Sequence, residues 1–220
     1  MDHAQEIMDQ IMNEPDDSNI GVLANELSKE FSRGCSVDRL RPLLLSKNNN
    51  VAEIGIWVTS ELGRGAAPLL DDVVTLLRHP GKNVRFFAID SVLSCATEWN
   101  KLEVASVIPL LNDAEAAVRW KAMDFLSRAS REQLQGALDY LNTTEPQSVH
   151  VHELEWLLGE GGSNPGEIMS FIQSQEALLR KYGVVAAARM SQRNSEPLSY
   201  AASTADPDIK QFAWDTLKRE

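Results

Sequence analysis

Apolar residues along this chain recur three and four positions apart, in stretches separated by short polar runs. Residues 113–130 read DAEAAVRWKAMDFLSRAS and set Val118, Ala122 and Leu126 on one line. With 3.6 residues per turn, that spacing returns each position to one face of a helix. Strand-like alternation is absent along the chain, so every element it predicts is helical. The runs between, SKNNN, RHPGKN, NDAEA and STADPD, are rich in residues that cap helices and cannot continue them.

With Val118 as an anchor, the equivalent positions are Ile20, Val51, Val84, Val149, Leu179 and Ile209, in steps of 31, 33, 34, 31, 30 and 30 residues. Four positions after each anchor stands Ala24, Gly55, Ala88, Ala122, Glu153, Gly183 or Ala213, small in six of seven copies. A second apolar stripe ends before each anchor, as in Leu40, Leu43 and Leu44 before Val51. Each unit thus reads as helix, tight turn, helix. A pair of that size cannot bury its own apolar face and must stack on its neighbours. The small residue lets the second helix approach the first closely. The expected fold is all-α, an α-solenoid of about seven stacked helix pairs in a single domain over residues 1–220. Residues 1–36 form capping helices, 37–130 the most regular repeats, and 131–220 the divergent and C-terminal ones.

Asp113, Val118, Arg119, Ala122 and Leu126, with Val84, Arg85, Ala88 and Val92 and with Asp206, Pro207, Ile209, Lys210, Ala213 and Leu217, resemble the HEAT and HEAT-like repeats, including the short variety of phycobilin lyases. The resemblance spans nearly the whole chain and weakens over residues 131–175, where His150 replaces the arginine and Glu153 the small residue. There the glycine-rich LGEGGSNPGE reads as a flexible connection between two stacks. The resemblance implies a right-handed solenoid whose second helices line a concave side, and binding of another macromolecule. It also implies that Arg85, Arg119, Arg180 and Lys210 pair with turn acids such as Asp113.

Charge changes the picture of the partner. The chain carries 21 Lys and Arg against 32 Asp and Glu, a net charge of -11, and shows no basic cluster. Nucleic acid is disfavoured, because a phosphate groove needs clustered cations. Residues 1–30 hold eight acids and Lys29 alone, which suits steering of a basic partner. No apolar run reaches the roughly 18 residues of a membrane span, and the acidic N-terminus does not read as a signal peptide, so no membrane partner and a cytoplasmic location are expected. Cys35 and Cys95 read as small buried hydrophobes.

No nucleophile elbow, phosphate loop or metal-ligand pair is present, so neither metal nor cofactor is expected. His150 and His152 point to opposite sides of a helix. Trp57, Trp120 and Asp124 superficially suit a HEAT-like DNA glycosylase, which would need a basic groove, and nothing marks the tetrapyrrole site of a chromophore lyase. Turned 100° per residue from its anchor, position +6 of each second helix faces outward. That column reads Glu26, Trp57, Asp90, Asp124, Glu155, Val185, Asp215; the +2 column reads Val22, Glu53, Phe86, Trp120, Val151, Lys181, Gln211. Together they predict an acidic groove bearing aromatics, with Trp57, Phe86, Asp90, Trp120, Asp124, Glu155, Asp215 and Glu26 as contact residues. The function expected is non-enzymatic capture of a basic protein, concretely by an immunity protein neutralising a cationic toxin, with an intracellular assembly or regulatory scaffold as one alternative and a HEAT-like enzyme, DNA glycosylase or chromophore lyase, as the other.

Overall fold

In a computed structural model the described residues, 2–219, contain helices and no strand. The polar runs cap them as expected. Asn48 Oδ1 accepts from the N–H groups of Asn50 and Val51, and Asp206 Oδ1 from those of Asp208 and Ile209. Each bond satisfies an orphan donor of a helix N-terminus. Gly34 and Gly63, just past two helix ends, take positive φ of 112° and 51°, a conformation a Cβ disfavours.

The chain gathers into two compact units, one up to Ala96 and one from Thr97. In the first, α1 (His3–Asn13) pairs with α2 (Ile20–Ser32), α3 (Arg41–Leu44) with α4 (Asn49–Glu61), and α5 (Leu70–Leu76) with α6 (Lys82–Cys95). The second helices α2, α4 and α6 lie side by side in that order. The small-residue column acts as the pattern predicts. A Cβ on Gly55 would stand 2.8 Å from Leu43 Cβ and 2.9 Å from the Leu44 backbone nitrogen, so only glycine lets α4 approach α3 this closely.

The second unit departs from the ladder. It comprises α7 (Lys101–Val107), α8 (Ala116–Arg128), α9 (Arg131–Thr144), α10 (Val149–Leu158), α11 (Pro165–Ile172), α12 (Ala177–Met190), α13 (Glu196–Ala201) and α14 (Pro207–Leu217). The predicted anchor Val149 is 62% exposed, whereas His150 and Leu154 are buried. Helix α10 is therefore turned by about one residue, roughly 100°, from the ladder register. Helix α8 packs directly on α12, and α14 lies against both. Helix α12 is the centre of this unit. Residues 181–187 are buried without interruption, as befits a helix enclosed on all sides by α8, α10, α11, α13 and α14. Its Lys181 survives there because Nζ donates to the Leu111 carbonyl at 2.6 Å and to Asn112 Oδ1 at 3.3 Å.

The glycine-rich connection after α10 is packed rather than flexible, which corrects the expectation. Trp156 stacks on Phe171 with ring centres 3.7 Å apart and donates to Glu167 at 3.1 Å. A Cβ on Gly161 would overlap the Trp156 indole, and one on Gly162 the Leu157 carbonyl. These glycines serve close approach.

Candidate protein-binding surface

The regular stack of α2, α4 and α6 carries the predicted columns on one layer of helices. Glu26 is exposed, Val22 is 57% exposed, and Glu53, Trp57, Phe86 and Asp90 are partly exposed. The helices bearing them are tied across repeats. Asn50 Nδ2 donates to Asp16 Oδ1 at 2.6 Å, and Asn83 Nδ2 to Glu53 Oε1 at 2.9 Å. Asn19, Asn50 and Asn83 form a column of their own, immediately before the anchors Ile20, Val51 and Val84. The ladder spacing contains that signal, although the column carries neither a charge nor an aromatic ring. Where α2 meets α4, Pro15, Asp16, Asp17, Ile20, Asn50, Glu53 and Ile54 line an open cleft of about 370 Å³. Its isoleucines offer an apolar wall and its carboxylates a rim, a combination suited to a lysine or arginine side chain whose stem is greasy and whose head is charged.

In the second unit the columns do not form an open groove. Asp124, expected to face outward, is 2% exposed, and Val185, Val151 and Lys181 of the same columns are buried. For Asp124 the reason is α14, which lies across the face of α8. Arg119 clasps Asp208 with two bonds of 2.6 and 2.9 Å, Trp120 meets Phe212 edge-on at 6.2 Å, and Arg219 donates to Asp124 at 2.8 Å. Arg128 and Lys121 also approach the Asp124 carboxylate, at 3.3 and 3.8 Å. A carboxylate held by three cations is a structural anchor, unavailable for the role a glycosylase would give it. The Arg219 guanidinium also covers the Trp120 ring at 5.1 Å, and Trp120 Nε1 is buried without a hydrogen-bond partner. Asp215 accepts from Gln211 at 2.9 Å; Glu155 is exposed on the turned helix α10, apart from the column it was assigned to.

The arginines at +1 are structural. Arg85, Arg119 and Arg180 each fold back on two carbonyls of the preceding turn, and Arg180 also grips the Asp206 carboxylate at 2.8 Å. Arg119 takes the Asp113 carbonyl, with its ion pair going to Asp208. His150 is buried against the Tyr182 hydroxyl at 3.1 Å while His152 is exposed. Burial pushes the Cys95 thiol up to about 11, away from thiolate chemistry. Among the described residues no group of three or more His, Cys, Asp or Glu side chains could hold a metal ion, and no helix is long and apolar enough to cross a membrane.

Stacked helix pairs bound by small residues define an α-solenoid repeat protein. Solved structures agree. The chain matches an engineered protein from the Northeast Structural Genomics Consortium at a TM-score of 0.57 and 14% identity, over 99% of this chain and 98% of that one. It also matches computationally designed armadillo repeat proteins for modular peptide recognition, at TM-score 0.52 and 15% identity over 98% and 99% of the two chains. A designed armadillo repeat protein in complex with the peptide (KR)4 matches at 0.51 and 15%, over 99% of both. No protein-family model matches the chain, and no curated protein does.

Proposed function

We propose that this chain is a non-enzymatic scaffold that takes a basic polypeptide on the layer of α2, α4 and α6. The observation that carries the reading is the recurrence of carboxylates and partly exposed aromatics, Glu26, Glu53, Trp57, Phe86 and Asp90, on adjacent stacked helices. Aromatics in such a setting bury area at low entropic cost and attract cations over their faces. Carboxylates around them select and steer a positive ligand. A designed relative in fold is held with a peptide of alternating lysine and arginine, which supports a cationic ligand. In its most specific form the partner is a cationic toxin domain and the chain its immunity protein, in keeping with a net charge of -11 over 220 residues. The repeats themselves are best described as HEAT-like on the residues that carry that pattern.

The test is binding of a fluorescent alternating Lys-Arg peptide to the full chain. Trp57→Ala should weaken it by about 2 kcal/mol, chiefly through faster dissociation. Unchanged affinity in both Trp57→Ala and Phe86→Ala would remove the assignment of this surface.

A further inference from the structure

Two helix faces that share no residue with that surface have opposite chemistry. On α14, Ile209, Phe212 and Ala213 turn inward, and the helix packs on α8, α12 and α13. Its remaining face carries Lys210 and Trp214, continued by Lys218 at the C-cap, four residues apart and all exposed. Trp214 is 48% exposed, and Lys218 Nζ lies 5.7 Å from the centre of its ring. Of the acids of this helix, Asp208 pairs with Arg119 of α8, and Asp215 accepts from Gln211 on α14 itself. The line is therefore cation, indole, cation.

On α1 the arrangement is the reverse. Ala4, Ile7, Met8 and Ile11 turn inward, and the outer face carries Glu6 and Gln10, with Glu14 at the C-cap, again four residues apart and all exposed. Residues 2–17 hold six acids and no lysine or arginine. Asp2 is taken by Arg39, Asp9 by Gln5, Asp16 by Asn50 and Asp17 by the Asn19 N–H, while Glu6, 3.9 Å from the exposed His3, and Glu14 stay at the surface. The line is acid, amide, acid. Four residues of helix rise about 6 Å, so the two lines share one spacing. Lys210 and Lys218 can meet Glu6 and Glu14 in either helix direction, with the Trp214 indole lying on the Gln10 amide.

We propose that α14 of one copy of this chain docks on α1 of a second copy. A large exposed indole flanked by lysines is an anchor, and the acidic line on α1 is its complement in charge, spacing and order. The contact is heterologous, since the two patches differ, so a pair keeps one free α1 and one free α14 for further copies. A single helix against a single helix buries less than the roughly 1,200 Å² of a standard interface, so the association is weak and concentration-dependent.

Sedimentation of the full chain over rising concentration tests this. At low salt the weight-average mass should rise with concentration, and at high salt it should return to that of the monomer. Trp214→Ala, Lys210→Ala with Lys218→Ala, and Glu6→Gln with Glu14→Gln should each weaken self-association by about tenfold or more, at unchanged helical melting. Mixing the two double variants supplies one intact α14 and one intact α1, so a one-to-one complex and nothing larger should form. A parent that stays monomeric at low salt, self-association that persists in both double variants, or a mixture that stays monomeric overturns the proposal. The peptide assay separates this from the function proposed above. A Lys210→Ala, Lys218→Ala chain that is monomeric yet binds the basic peptide through Trp57 supports both. Loss of peptide binding in a parent that still self-associates removes only the first.

Discussion

Glu153 stands where six of seven ladder copies carry a small residue, and its surroundings do not welcome a charge. It is 9% exposed, its Oε2 is buried without a hydrogen-bond partner, and burial pushes its carboxyl above the usual range. A buried polar atom left unpaired costs about 1–3 kcal/mol, so Glu153→Ala should raise the urea midpoint at pH 7 by a comparable stability; a lower midpoint would show the carboxylate to be satisfied. His150, three residues earlier, works in the opposite sense. Burial, with Lys181 nearby, lowers it from 6.5 to about 4. The folded state resists the proton that the unfolded state accepts. Its contribution is therefore complete above pH 6.5 and is lost as pH falls toward 4. At about 1.4 kcal/mol per pKa unit the loss approaches about 3 kcal/mol. Glu153 masks part of it, because protonating that carboxyl relieves its burial as pH falls. In a Glu153→Gln background, urea midpoints should drop steeply between pH 7 and 5, and His150→Gln should flatten that drop.

At the scale of elements, close approach was legible wherever the small residue was kept. A Cβ on Gly183 would come within 2.8 Å of the Ile172 nitrogen and 2.9 Å of Phe171 Cβ, the α11–α12 counterpart of Gly55 against α3. Gly55→Ala and Gly183→Ala each set backbone against side chain or backbone, so each should cost about 1–3 kcal/mol despite alanine's better helix propensity. Unchanged thermal midpoints would refute the packing role. The turn of α10 was not legible, because period counting assigns registers and does not say which face a neighbour will cover. Val149 fits the spacing, yet burying His150 and Leu154 sets the rotation. Helix α12 departs from the pattern for a related reason. The columns place Lys181 and Val185 outward, yet both are buried because α8, α10, α11, α13 and α14 wrap the helix.

For the whole molecule, charge acts at a distance that packing does not. Carboxylates on α2, α4 and α6 steer a basic ligand across about one Debye length, ~8 Å at physiological salt. Glu26→Gln, Glu53→Gln and Asp90→Asn together should therefore slow association and flatten its salt dependence, whereas Trp57→Ala changes chiefly the dissociation rate. Stopped-flow kinetics at two ionic strengths separate the two, and a triple variant with unaltered salt dependence would place the steering charge elsewhere. By itself the sequence determined the helical class, the repeat, the caps at Asn48 and Asp206, the close contact at Gly55, and the acid and aromatic columns of the first unit. Those follow from local rules: period, propensity, side-chain size and formal charge. Only the tertiary structure decided that Asp124 and Trp120 lie under α14, that Arg219 answers Asp124 from 95 residues away, and that α12 is a core. An outward direction on an isolated helix becomes an inward one when a distant segment packs over it, and which segment does so depends on the sum of all contacts rather than on any window of residues.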